Sequence, residues 1–185
     1  MSLIYSMLMS VDGYVEDEHG RFGFAQPDEE VHAYINQLEL SVGTYLYGRR
    51  MYESMVYWET AHTVPNLPHF LRDWTRLWQA ADKIVYSRTL AEPRSVRTRI
   101  EREFDPDVVR RLKGGARHNI TVNGPALAAH ALRAGLVDEI QMFICPAVVG
   151  AGKWFFPDRV RLKLELVDEH RFRNGGVFLR YVVRG

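Results

Sequence analysis

Apolar residues along the chain recur at two different spacings, and the switches between them outline its elements. Leu3–Met9 is a nearly continuous apolar run closed by Asp12-Gly13, which predicts a buried first strand. Between Asp28 and Leu40, Val31, Tyr34, Ile35 and Leu38 fall three and four apart, the spacing of one helix face. Pro27 and the acids Asp28, Glu29 and Glu30 mark the start of that helix, where its dipole favours negative charge. Thr44–Tyr47 predicts a short strand and Arg50–Val56 a helix. The strongest helical pattern is Leu67–Ala81, with Leu67, Phe70, Leu71, Trp74, Leu77, Trp78 and Ala81 on one face; its tryptophans read as core. Lys83–Ser87 predicts a strand, and Ser95–Ile100 alternates as a half-exposed one. Asp105-Pro106 starts a helix running to Lys113, with Asp at the cap and Pro in the first turn. His118–Val122 is a strand, Pro125–Ala134 a helix ended by Gly135, and Val137–Cys145 a strand. Leu162–Asp168 and Val177–Val183 close the chain as an antiparallel pair joined through Asn174-Gly175, a strong turn signal.

Strands alternating with helices up to about residue 145, followed by a hairpin, predict one α/β domain over residues 1–185. Its sheet is mostly parallel, covered by helices on both faces, with an antiparallel edge. Sheets of this kind bind ligands beyond the carboxyl ends of their strands, here the loops after Met9, Tyr47, Ser87, Val122 and Cys145. Three of the predicted strand ends carry groups suited to phosphate. Gly48-Arg49-Arg50 joins a glycine and two guanidinium forks at a helix start, Ser87-Arg88-Thr89 joins hydroxyls to a guanidinium, and Asn123-Gly124-Pro125 enters a second helix. Each alone reads equally as surface or turn; together, at one end of the sheet, they point to a dinucleotide-type ligand.

Bulk properties narrow the alternatives. Formal net charge is +1, so the chain has no global electrostatic footprint for nucleic acid or an anionic membrane. The most basic stretch, Arg88–Arg117, holds 9 Lys/Arg against 5 Asp/Glu with the signs interspersed, and reads as a solvated surface. A single cysteine, Cys145, excludes an internal disulfide and sits in the apolar run MFICPAVV as a small hydrophobe. The N-terminal run MSLIYSMLMSV lacks a basic leader and is too short to span a bilayer, so the expected setting is cytoplasmic. The seven histidines show no metal-ligand spacing, and no metal site is expected. A glycine-rich dinucleotide fingerprint, a nucleophile elbow, a Walker loop and a zinc-deaminase signature are all missing.

The segments SVDGYVE, YGRRMYES, KIVYSRTL and ITVNGPALAAHALRAGLVDEIQMFICPAVVGAGKWFF, with the closing hairpin, resemble the dihydrofolate reductase-like superfamily. The nearest resemblance is to stand-alone proteins similar to the C-terminal reductase domain of the bifunctional riboflavin-biosynthesis deaminase-reductase. It implies a three-layer fold, NADPH as cofactor and hydride transfer to a C=N or C=O of a small pterin-like or ribosylaminopyrimidine-like substrate. It also implies pairing as a homodimer, for which the apolar Pro146–Phe156 segment is the expected interface. Carried over position by position, Gly48, Arg49 and Arg50 would contact cofactor phosphates, with Arg49 on the 2′-phosphate. Ser87 and Arg88 would flank that same end, and Asn123, Gly124, Pro125, Ala126 and Leu127 would hold the pyrophosphate. Leu8, Ser10 and Val15 would back the nicotinamide.

Two acids are catalytic candidates by the same resemblance. Asp12 is either a turn residue or a substrate contact, and Glu30 is either a dipole-compensating acid facing solvent or a proton donor, with water the alternative donor. Trp58 and Trp154 either pack or wall the substrate site. Met51, where relatives often have threonine, and Asn123, where they often have glycine, leave a second reading open: a nucleotide- or ligand-binding module without hydride chemistry. A scaffold that binds nothing is a third.

Overall fold

The structure is a computed structural model describing residues 1–184; Gly185, the last residue of the expected domain, lies outside the described residues. In chain order the elements are β1 (Leu3–Ser10), β2 (Tyr14–Asp17), α1 (Glu29–Glu39), β3 (Val42–Gly48), α2 (Arg49–Met55), α3 (His69–Ala80), β4 (Asp82–Tyr86), β5 (Thr98–Glu101), α4 (Pro106–Gly115), β6 (Asn119–Asn123), α5 (Pro125–Arg133), β7 (Glu139–Cys145), β8 (Gly152–Trp154), β9 (Lys163–Arg171) and β10 (Val177–Arg184). Eight strands form one sheet in the order β5-β4-β3-β6-β1-β7-β10-β9. The strands from β5 to β7 run parallel, and β10 is antiparallel to both β7 and β9.

Steps from β1 to β3, β4 and β5 move toward one edge, whereas steps from β5 to β6 and β7 move back across the sheet. Right-handed crossovers therefore put α1 and α3 on one face and α4 and α5 on the other. Alternation along each strand supplies both layers. Leu46, Ile84 and Ile140 join Val109, Leu127 and Leu132 beneath α4 and α5. On the opposite face Tyr45, Tyr47 and Val85 pack with Trp74 and Trp78 of α3, while Phe143 and Phe178 pack with Val31 of α1. Both tryptophans of α3 are buried, as its periodicity predicts, and Trp78 donates to the Tyr47 hydroxyl at 3.2 Å. The mixed α/β layers and antiparallel hairpin edge follow the sequence expectation.

Helix starts follow their caps: Asp28 accepts from Val31 N–H in α1, and Asp105 accepts from Asp107 and Val108 N–H ahead of Pro106 in α4. Two departures have local causes. The strand expected over Ser95–Ile100 begins only at Thr98, because Arg97 has φ +53 and breaks the extended run. The second is the two-stranded sheet of β2 and β8, whose strands are too short to show a period. There Gly152 passes so close that a Cβ would lie 1.9 Å from the Glu16 carbonyl oxygen, which only glycine avoids.

Candidate functional site

Connections leaving β3 and β6, which are neighbours, run to opposite edges and over opposite faces. A crevice therefore opens beyond their carboxyl ends, and it is here that the three phosphate-type loops meet. Gly48 ends β3 and caps α2; Gly124, at φ +94, follows β6 and caps α5. Neither cap has a side chain to occupy the helix N–H groups. A Cβ built on Gly124 would sit 3.5 Å from Met51 Cβ, and one on Gly48 would sit 3.9 Å from Leu127 Cβ, so the two helix starts are in contact. Arg49 ties in the third loop: Nη1 donates to Thr89 Oγ1 at 2.6 Å while Nε donates to Glu53 at 2.8 Å.

Other expected residues distribute unevenly around this centre. Ser87 is buried; its hydroxyl accepts from Thr89 and Leu90 N–H, and its carbonyl accepts from Arg102. Arg88 extends into solvent, 3.5 Å from Glu103. Asn123 donates to Thr121 Oγ1, and Gly124 N–H points at Met7 Sδ. Pro125, Ala126 and Leu127 form the first turn of α5. Arg50 turns away from Arg49 to Glu16, at 3.1 Å, over Gly20. With Lys153 and residues 16–20 it lines a separate open cleft of about 490 Å³.

Along the first strand, Leu8 opens onto a cleft, Ser10 is buried with its hydroxyl accepting from Tyr14 N–H at 3.0 Å, and Val15 lies in the core. Asp12 clasps the loop after β7 by accepting from Val149 and Gly150 N–H, the latter at 2.8 Å. The Ser10 hydroxyl, then the Gly150 and Val149 N–H groups, hold its carboxyl below the usual aspartate range. Glu30 accepts from Arg173 N–H at 3.1 Å and faces its guanidinium at 3.7 Å, joining α1 to the β9–β10 turn. Trp58 packs against the aromatic cluster of α3, and Trp154 is exposed, stacked on Tyr14.

A feature without a sequence signature is the cleft onto which Leu8 opens. It holds about 180 Å³ between the start of α1, the end of β7 and the β9–β10 turn. Phe24, Phe143 and Phe172 form its aromatic walls, with Val31, Ile144 and Cys145 between them, and Gln26 and Asn174 bring amides to the rim. Burial pushes the Cys145 thiol up from its ordinary value. A larger open concavity of about 870 Å³ lies at the opposite, amino ends of β3 and β4. It is lined by none of the loops at the carboxyl ends. Among the described residues no group of three or more His, Cys, Asp or Glu is placed to hold a metal, and no helix is long and apolar enough to cross a membrane.

Residues 1–178 match the family model of the RibD C-terminal domain. The chain belongs to that family. It is 26% identical over 182 residues to the uncharacterized protein YyaP of Bacillus subtilis, covering 97% of this chain and 93% of that protein. A candidate riboflavin biosynthesis protein from Shewanella sp. PV-4 shares the fold with a TM-score of 0.76 at 16% identity, with 100% of each chain covered. The diaminohydroxyphosphoribosylaminopyrimidine deaminase/5-amino-6-(5-phosphoribosylamino)uracil reductase of Thermotoga maritima gives a TM-score of 0.69 at 13% identity; the match takes 99% of this chain and 56% of that one. Membership of this family is what the segments around Gly48, Ser87, Asn123 and the closing hairpin led one to expect.

Proposed function

We propose that the protein is an NADPH-dependent reductase of a small heterocycle. The observation that carries this reading is the meeting of three loops, Gly48–Arg49, Ser87–Thr89 and Asn123–Pro125, at the carboxyl ends of β3, β4 and β6. Residues present there fit a dinucleotide phosphate. Gly124 at φ +94 keeps the backbone bare, α5 offers uncapped N–H groups, and the Arg49 guanidinium remains about half exposed beside Thr89. Arg49 and Thr89 would hold the 2′-phosphate, the first turn of α5 the pyrophosphate, and Leu8 one side of the ring. When bound, the cofactor would supply a hydride to a C=N or C=O of the substrate. The chain's own work is to orient that bond in the aromatic cleft and to exclude water from it.

No carboxylic acid lines that cleft among the described residues, so the proton is assigned to water. The name of the Thermotoga relative, which includes a 5-amino-6-(5-phosphoribosylamino)uracil reductase, supports the reaction class. A homodimer belongs to the same reading, supported by Val148, Trp154 and Phe156 exposed along the expected interface.

Thermal unfolding with and without NADPH tests this. A ligand at 100 times its dissociation constant stabilises by about 2.7 kcal/mol, which is visible as a higher melting temperature. A well-folded sample that shows no shift at millimolar NADPH contradicts the proposal. NADPH binding without oxidation across a panel of pterins and flavin precursors would favour the binding-module alternative, which Met51 beside Gly124 motivates.

A further inference from the structure

We infer that the ring end of the crevice takes an uncharged planar ring and has no place for a phosphate, so that the substrate is an unphosphorylated heteroaromatic compound. This rests on the reading of the crevice as a reductase site, and it separates this chain from the phosphoribosylamino compound for which the Thermotoga relative is named.

Four observations carry it. The first is the lining: among the described residues around the cleft none is charged, and three phenylalanines from three different segments form the walls. The second is size. The cleft of about 180 Å³ is open at its mouth, and its walls give room for one flat ring system between them. The third is that three N–H groups at its edges, which a phosphate could use, are engaged by the protein's own side chains. Val31 N–H is taken by the Asp28 carboxylate at 3.0 Å, Arg173 N–H by Glu30 at 3.1 Å and Gly176 N–H by the Asn174 amide oxygen at 2.9 Å. The fourth is the charge of the rim. Asp28 and Glu30, at the start of the α1 wall, set two carboxylates against the Arg173 guanidinium.

A phosphate placed here would lose hydration to an uncharged lining and meet the Arg173 guanidinium only alongside the Glu30 carboxylate, which is unfavourable. A flat neutral ring instead gains aromatic contact on its faces. Its N–H and C=O edges meet Gln26, whose side chain has no hydrogen-bond partner among the described residues, and the remaining amide capacity of Asn174. The contrast with the Arg49 end is chemical: the phosphates that this crevice recognises are those of the cofactor.

The test uses a matched fluorescent pair, 4-methylumbelliferone and its phosphate ester, titrated into the full chain at a pH where the phenol is neutral. NADPH binding is measured separately on the same sample. The free phenol is expected to bind at least about tenfold more tightly than the ester, with little dependence on salt. It should also slow alkylation of Cys145 by N-ethylmaleimide, because that thiol lines the cleft. An ester that binds more tightly, with affinity falling as salt rises, overturns the inference while leaving the reductase reading intact if NADPH still binds. Binding of neither compound, or phenol binding that leaves Cys145 alkylation unchanged, overturns it as well. Phenol preference with Cys145 protection but no NADPH binding leaves the inference standing and removes the reductase reading.

Discussion

At the Gly48–Gly124 end of the crevice the walls are glycine, helix N–H groups and the Arg49 guanidinium; at the Phe143–Phe172 end they are aromatic rings closed by carboxylate-capped turns. The first end offers a ligand charge and bare backbone. The second offers shape, with only the Gln26 side chain and the remaining amide of Asn174 as polar groups open to a ligand. One sheet supports both because neighbouring strands send their chains over opposite faces. The two ends should therefore respond to different perturbations, and a substitution at one should leave the other nearly unchanged.

Phe172→Ala gives the largest separation. Phe172 is buried against Val31, Phe143 and Phe178, and removing such a ring costs about 3–5 kcal/mol. Denaturant unfolding should show that loss, and ring binding should disappear. NADPH affinity of the folded fraction should change by less than about twofold. A comparable loss at both ends would mean that the crevice is one cooperative unit.

A pH titration sharpens the contrast through α1, whose first turn walls the ring end. Burial pushes the Glu39 carboxyl, at the far end of that helix, up to about 7 from its ordinary 4.5. Between those values the folded chain keeps a proton that the unfolded chain has released. The contribution of Glu39 is then greatest below pH 4.5, falls by about 3 kcal/mol as pH rises to 7 and stays at that lower level above it. Glu39→Gln should flatten this slope and raise stability at alkaline pH. A variant whose pH profile matches that of the unmodified chain would show that Glu39 ionises freely in the folded state.

The smallest effect is expected at Glu30. Its pair with Arg173 is a surface clamp worth about 1 kcal/mol or less, with the Arg173 side chain 94% exposed. Glu30→Gln should lower turnover by less than about threefold, with the pH–rate profile unshifted. A loss near a hundredfold, with the acid limb of the profile gone, would make Glu30 the proton donor.

The two ends also differ in what the amino-acid sequence reveals. Arg49, Gly124 and Thr89 are legible because a guanidinium, a bare backbone and a hydroxyl are chemically marked and follow predicted strands directly. Phe24, Phe143 and Phe172 carry no such mark, since a phenylalanine facing a cleft and one facing the core look alike in sequence. Ser87 shows the limit of residue type as a guide. Its hydroxyl accepts from the N–H groups of its own turn, which no sequence pattern marks, and keeps its O–H as a donor. The periodic helices and the β9–β10 hairpin were readable for the same reason that β2 and β8 were not. A period needs several residues to show, and the demand for glycine at position 152 arises only from contact with Glu16 far along the chain.

The central claim is that Arg49 reads the 2′-phosphate of NADPH, and a cofactor cycle tests it most directly. Dissociation constants for NADPH and NADH are measured by titration calorimetry on the unmodified chain and on Arg49→Ala. Loss of a hydrogen bond to a charged group costs about 1.5–3 kcal/mol, so NADPH should weaken by roughly 10- to 150-fold while NADH changes by less than about threefold. Equal weakening of both cofactors, or an unmodified chain that does not distinguish them, would contradict it.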